Sequence, residues 1–168
     1  MANILKIASN HPLSRLHVYH PPLAFPGATF PSLEMARWYV TLIQDGHDIE
    51  AGQLVNNQTL VNQPVAIADW VASKGVMVSA EWTFRAPQVL ADLMMHQITI
   101  GGAFADAFMN TMHESGVLPE NLVFVQCSAK RWTCGLRASE VEAGKPAMGY
   151  DCYDSLLNLM TKRIINGD

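Results

Sequence analysis

Residues 31–46 read PSLEMARWYVTLIQDG, and the predicted fold is organised around this stretch. Ser32 is predicted to be a helix N-cap, and Glu34 in the first turn suits the positive end of the helix dipole. One helical face carries the apolar residues Met35, Tyr39, Leu42 and Ile43. The pattern therefore predicts a helix that runs to about Asp45 and stops at Gly46.

The flanking sequence predicts a mainly α fold with a small β component. Residues 11–31 are rich in proline and are expected to be extended, with short strands at 15–19 and 23–25. Further helices are predicted at 64–73, 79–96 and 98–115, with Pro87 kinking or dividing the second. A buried strand at 122–127, a loop at 128–148 and a helix from Asp151 to Ile165 complete the chain.

Composition predicts one compact domain over residues 1–168, because the chain contains no internal repeat and no low-complexity linker. Hydrophobic residues make up 49% and charged residues 15%, against roughly 25% charged in an average domain. This composition excludes intrinsic disorder. It fits a large core, an apolar cleft or a homo-oligomer. Four of the eleven basic residues fall in the loop at 128–148 beside Trp132, whereas the apolar residues elsewhere mostly form ridges on helices. The excess of hydrophobic residues therefore favours a large core, and this loop is the candidate ligand edge.

The formal charge of −4 argues against binding duplex DNA through bulk charge, which requires many basic residues. A small anionic ligand remains compatible, since one or two arginines in a cleft can hold it.

No apolar run approaches the ~20 residues of a membrane helix, and residues 1–10 do not resemble a signal peptide. The three cysteines lack C-x-x-C spacing. We therefore expect a cytoplasmic protein with reduced thiols and no membrane association.

Neither a metal nor a cofactor is predicted. His17 and His20 have metal-like spacing, but they lie in a proline-rich stretch without an acidic third ligand nearby. The glycine-rich phosphate loops and the G-x-S-x-G nucleophile turn are also missing from the sequence.

Several short motifs follow one another along the chain. Near the N-terminus these are Ser14, Gly27, Phe30, Pro31, Ser32 and Glu34, and later come Trp82, Trp132, Gly135, Gly149 and Asp151. This ordered set resembles the NADAR family of N-glycosidases over roughly residues 13–163. Members of that family open with a Ser-Asn-Phe element, a short hairpin and a helix starting G-x-x-(aromatic)-P-(Ser/Thr)-x-E. A Trp-Gly-x-Gly loop follows a later strand.

The resemblance implies the NADAR fold and cleavage of the bond between a base nitrogen and a ribose carbon. Known family substrates are phosphoribosylated pyrimidine intermediates of riboflavin synthesis and ADP-ribosylated guanine bases. Departure of the base builds positive charge on the sugar, which a carboxylate stabilises. Glu34 is the leading candidate for this role or for activating water, with Asp151 as a second carboxylate. Their alternative roles are a first-turn acid for Glu34 and a helix N-cap for Asp151.

The same resemblance implies a nucleotide-like substrate and a set of binding residues, namely Ser14, Arg15, Trp82, Arg131, Trp132 and Gly135. Tryptophan rings stack on bases, arginines hold phosphate, and a glycine permits close backbone approach. Core packing is an equal alternative for Trp82, and each arginine alone is compatible with a surface charge.

One departure from the family pattern bears on the mechanism. Seven residues after the glutamate the family has a lysine that forms an imine with the opened sugar, whereas this chain has Thr41. A Schiff base requires an amine, which a threonine hydroxyl cannot replace. Arg15 replaces the family Asn after Ser, and Thr133 replaces the first Gly of the Trp-Gly-x-Gly loop. In the closing Gly-Lys-Asn-x-x-Gly motif of the family, which Gly149 matches, Asp151 replaces the Asn and Asp154 replaces the last Gly. Two hypotheses follow: an N-glycosidase that uses carboxylates and water, or a non-catalytic module that binds nucleotide or ADP-ribose. A third, suggested by the low charge content, is a self-associating structural protein.

Overall fold

The computed structural model describes residues 3–7, 11–76, 82–116 and 122–126. Within them the chain is mainly helical, with two small two-stranded sheets, as the sequence predicts. The chain divides into two compact units, one formed by residues 15–104 and the other by residues 1–14 and 105–168. Glu34 and the residues around it lie within the unit at 15–104.

A β-hairpin precedes the first helix of the unit at 15–104. Strands β2 (Leu23–Phe25) and β3 (Ala28–Phe30) are antiparallel, and the turn between them contains Gly27 at φ 75°, a value that favours glycine. The strand predicted at 15–19 is wrong, because these residues form a turn followed by an irregular segment. Consecutive prolines at 21 and 22 cannot donate backbone hydrogen bonds, so a ladder cannot extend through them.

In the described residues of this unit, five α-helices follow the hairpin: α1 (Leu33–Gln44), α2 (Asp48–Val55), α3 (Gln58–Asn62), α4 (Ile67–Ser73) and α5 (Trp82–Ile100). The helix predicted from Ser32 is confirmed as α1, and Gly46 follows it with φ 82°. The predicted helix at 64–73 is a 3-10 turn at Pro64–Ala66 that continues into α4. Neither α2 nor α3 is predicted from the sequence.

The boundary between the next two helices differs from the prediction. Helix α5 continues to Ile100, and Gly101, with φ 73°, ends it before α6 (Ala103–Ser115) begins. Helix α5 also continues through Pro87, so a division there is wrong, and the alternative of a kink stays a prediction. Proline fixes φ near the helical value, so within a helix it can cost one hydrogen bond without ending it.

The apolar core of this unit lies around α1, which is in contact with α2 and α5. Its buried members are Phe30, Met35, Ala36, Leu42, Ala51, Leu54, Leu60, Ile67 and Val71. Two members of the predicted apolar face, Met35 and Leu42, are buried, and Tyr39 packs against this core. Ile43 is 40% exposed, whereas Glu34, Arg37 and Thr41 are buried, so the buried surface of α1 differs from the predicted apolar face.

In the other unit, β1 (Asn3–Ile7) pairs in parallel with β4 (Leu122–Gln126), with Leu5 opposite Phe124. Strand β4 confirms the strand predicted at 122–127, whereas β1 is not predicted. The predicted loop at 128–148 and the predicted helix from Asp151 to Ile165 lie outside the described residues. No helix in the described parts of the chain is long and apolar enough to span a membrane.

Candidate active site

The position of Glu34 is set by the start of α1. Ser32 has an extended backbone, at φ −147° and ψ 155°, and its side-chain oxygen accepts a hydrogen bond of 3.1 Å from the Met35 N–H. This is the N-cap arrangement that the sequence predicts. Glu34 consequently lies in the first turn, where exposed N–H groups and the helix dipole favour a negative charge.

Two donors on the same helix bind the Glu34 carboxylate. The Nη2 atom of Arg37 donates to Oε1 at 2.5 Å, and the indole Nε1 of Trp38 donates to the same oxygen at 2.8 Å. Residues three and four positions apart are neighbours on a helix surface, so this contact follows from local geometry. The first turns of α1 therefore hold one carboxylate oxygen without help from another element.

A third partner comes from the segment before the hairpin. Arg15 Nε lies 2.8 Å from Glu34 Oε2, which makes an ion pair although its angle falls outside hydrogen-bond geometry. The carbonyl of Arg15 also accepts a hydrogen bond of 2.9 Å from the Glu34 N–H. Residues 19 positions apart in sequence are thus connected through both backbone and side chain.

These three charged residues are buried. Exposed fractions are 6% for Arg15, 4% for Glu34 and 7% for Arg37. The alternative reading of Arg15 as a surface charge is therefore wrong. Burial of a charged group costs several kcal/mol per ion unless partners compensate for the lost hydration. Here the ion pairs of Glu34 with Arg15 and Arg37 compensate for part of this cost.

Electrostatics keep the Glu34 carboxylate ionised. Burial by itself raises the pKa of Glu34, but the guanidinium groups of Arg37 and Arg15 lower it, as do the hydrogen bonds from Arg37 and Trp38. The net result is a pKa below the usual value for a glutamate. At neutral pH this group is therefore a carboxylate, able to stabilise positive charge or accept a proton.

Arg37 and Trp38 are site residues that the sequence analysis does not identify. The Arg37 guanidinium carbon lies 4.4 Å from the centroid of the Trp38 ring, which is a cation–π contact. Trp38 also packs against the apolar core and is partly buried. Their spacing of three and four residues from Glu34 is the signal that could have identified both.

Thr41, at the position where the family lysine is expected, is buried on α1. Its hydroxyl donates a hydrogen bond of 2.9 Å to the Arg37 carbonyl four residues earlier. A threonine that bonds to the preceding turn is a common arrangement within helices. Its side chain has no amine, so a covalent imine step at this position has no nucleophile.

The remaining predicted site residues lie elsewhere or outside the described residues. Ser14 belongs to the other unit, where it is buried and its N–H donates to the His11 carbonyl at 2.9 Å. Trp82 is the first residue of α5. Four predicted residues lie outside the described residues, and these are Arg131, Trp132, Gly135 and Asp151.

No group of three His, Cys, Asp or Glu residues in the described ranges could hold a metal ion. His17 makes an edge-on contact with Tyr19 at 4.6 Å between ring centroids, and His20 is exposed. Burial, followed by the nearby His20, lowers the pKa of His17, which favours its neutral form. Comparison of the chain with protein-family models, with curated proteins and with solved structures finds no match.

Proposed function

We propose that this protein is a hydrolase that cleaves an N-glycosidic bond between a base and a ribose or ribose phosphate. The observation that supports this best is the buried, ionised Glu34 held by Arg15, Arg37 and Trp38. A helix can begin with an acid without burying it, so this arrangement exceeds what the helix requires. A preorganised carboxylate is the group that this chemistry needs.

In the proposed reaction the bond between the base nitrogen and C1′ of the ribose breaks, and its electron pair leaves with the base. The Glu34 carboxylate stabilises the positive charge that develops on the sugar. The oxygen of a water molecule then bonds to C1′, and Glu34 accepts one water proton. That proton passes to the departing base nitrogen, so the carboxylate is regenerated.

The substrate class is proposed from the arginines and from the resemblance to NADAR enzymes. Guanidinium groups bind phosphate through several parallel donors. A nucleotide, or a base carrying ADP-ribose, supplies both the phosphate and the N-glycosidic bond. The resemblance also implies Asp151 as a second carboxylate, and Arg131, Trp132 and Gly135 as ligand contacts, and all four lie outside the described residues.

One observation favours a second candidate function, a non-catalytic module that binds nucleotide or ADP-ribose. Both carboxylate oxygens of Glu34 already lie against cations, and Thr41 supplies no amine. In such a module Glu34 would orient the two arginines toward a phosphate instead of acting on the sugar.

Incubation of the purified protein with nucleosides, nucleotides and ADP-ribosylated guanine separates the two functions. Chromatography detects released base, and calorimetry on the same panel detects binding. Base release that is lost in Glu34→Gln and retained in Glu50→Gln supports the hydrolase. Glu50 is a suitable control because it also lies in the first turn of a helix, α2. Binding without base release supports the module. If the protein neither binds nor cleaves any compound of the panel, both functions are contradicted.

A further inference from the structure

The two oxygens of the Glu34 carboxylate have different surroundings. Oε1 accepts hydrogen bonds from Arg37 and Trp38, at 2.5 and 2.8 Å. Oε2 is buried and lies 2.8 Å from Arg15 Nε in an ion pair, and within the described residues no donor forms a hydrogen bond to it. A carboxylate oxygen has two lone pairs. Oε2 is therefore the oxygen with capacity to accept a further hydrogen bond.

The difference between the oxygens originates in α1. Trp38 is held by packing against the apolar core, and its ring is covered by the guanidinium of Arg37 at 4.4 Å. A side chain fixed by packing is a more precise donor than one on a mobile loop. Its indole N–H and Arg37 Nη2 both donate to Oε1, so together they set the orientation of the carboxylate plane about the last side-chain bond of Glu34.

We propose that Trp38 is a positioning residue, whose indole N–H holds Oε1 of Glu34 and so presents Oε2 to the ligand as the acceptor for a water or sugar hydroxyl. The assignment of Oε2 to a ligand rests on the proposed hydrolase function. Trp38 acts through Glu34 and has no assigned contact with the substrate. Small errors in the orientation of a reacting group reduce rates strongly, which is why such a residue matters.

Trp38→Phe tests the proposal because it keeps an aromatic ring and removes only the N–H donor. Trp70→Phe is the matched control. Trp70, on α4, also packs in part against the same core, and the Lys74 ammonium lies 5.3 Å from its ring centroid. Both substitutions therefore remove an indole beside a cation, but only one removes a donor to Glu34.

The first measurement requires no substrate. Glutamate labelled with ¹³C at the side-chain carboxyl is titrated by NMR, and Glu34→Gln identifies the Glu34 signal. The hydrogen bond from Trp38 lowers the pKa of Glu34, alongside the charges of Arg37 and Arg15 that face it. The midpoint is expected to rise in Trp38→Phe and to stay unchanged in Trp70→Phe. An unchanged midpoint in Trp38→Phe would overturn the proposal.

Circular dichroism checks that Trp38→Phe folds. If it does not, Trp38→Gln is titrated instead, since its amide supplies a replacement N–H donor. A Glu34 midpoint near the wild-type value is expected for Trp38→Gln, and a raised midpoint contradicts a donor role for this position.

The second measurement is base release by the same variants. Trp38→Phe is expected to lower kcat about tenfold with little change in KM, the rate equivalent of one charge-assisted hydrogen bond. Trp70→Phe is expected to retain wild-type kcat. Equal kcat in Trp38→Phe and wild type overturns the proposal. If the wild-type protein releases no base, the proposed hydrolase function fails, and the NMR titration alone decides whether Trp38 holds the carboxylate.

Discussion

Helices α1 and α2 both begin with an acid in the first turn, yet they use it differently. In α1 the Ser32 side chain caps the helix, and Glu34 is buried against two arginines. In α2 the preceding His47 makes no side-chain cap hydrogen bond, and Glu50 is only partly buried. The same local sequence signal therefore produces a partly solvated acid in one helix and a buried ionic cluster in the other.

The comparison separates the requirements of a helix from those of a site. An acid near a helix N-terminus contributes up to about 1 kcal/mol through the dipole, and it can do so in contact with water. Burying a carboxylate has a much larger desolvation cost that only well-placed charges offset. The dipole is sufficient to explain Glu50, whereas the burial of Glu34 calls for a further role.

The largest expected effect is on stability. Glu34→Ala removes the carboxylate between the buried Arg15 and Arg37, and it should lower the free energy of unfolding by about 3 kcal/mol. Glu50→Ala should change the free energy by no more than about 0.5 kcal/mol. Urea unfolding of both variants measures the difference. Equal losses of unfolding free energy in the two variants would show that the acid of α1 is no more important for stability than the acid of α2.

A smaller effect is expected from pH. Arg37 and Arg15 hold the pKa of Glu34 below its usual value of 4.5 in spite of burial. A carboxylate whose folded pKa is lowered contributes stability above the unfolded value and loses it as the pH falls through the folded value. The difference in unfolding free energy between wild type and Glu34→Gln should therefore shrink as the pH falls below 4.5. A difference that stays constant through the acid range would argue against ionic stabilisation.

The smallest effect concerns the helix caps. Ser32→Ala removes the hydrogen bond to the Met35 N–H and should lower the unfolding free energy by about 1 kcal/mol. His47→Ala removes no side-chain cap bond and should cost less than about 0.5 kcal/mol. Thermal or urea unfolding distinguishes the two, and a larger loss in His47→Ala would reverse the assignment of the caps.

The sequence predicts the start of α1 well because its signals are local. Each signal depends on residues within one helical turn: Ser32 caps the helix, Glu34 interacts with the helix dipole, and Gly46 adopts a positive φ after the helix ends. The same local reasoning extends to Arg37 and Trp38 by their spacing from Glu34. Helix α2 shares only the first-turn acid. Because it has no side-chain cap and contains Gly52, sequence reasoning does not find it.

Non-local features are not predictable in this way. Arg15 meets Glu34 only because the intervening hairpin reverses the chain, and nothing in the sequence specifies that return. Strand β1 pairs in parallel with β4, more than a hundred residues later, and its short apolar pattern does not identify a partner. Ile43 belongs to the predicted apolar face of α1 but is exposed, because burial depends on neighbouring elements and not only on periodicity.

The central claim is that Glu34 acts on an N-glycosidic bond. Its most direct test is the rate of base release by Glu34→Gln relative to Glu50→Gln, on whichever panel substrate the wild-type protein cleaves. The account predicts a loss of at least about a hundredfold for Glu34→Gln, in the range for a positioned acid–base group, and a wild-type rate for Glu50→Gln. Equal rates in the two variants would contradict it.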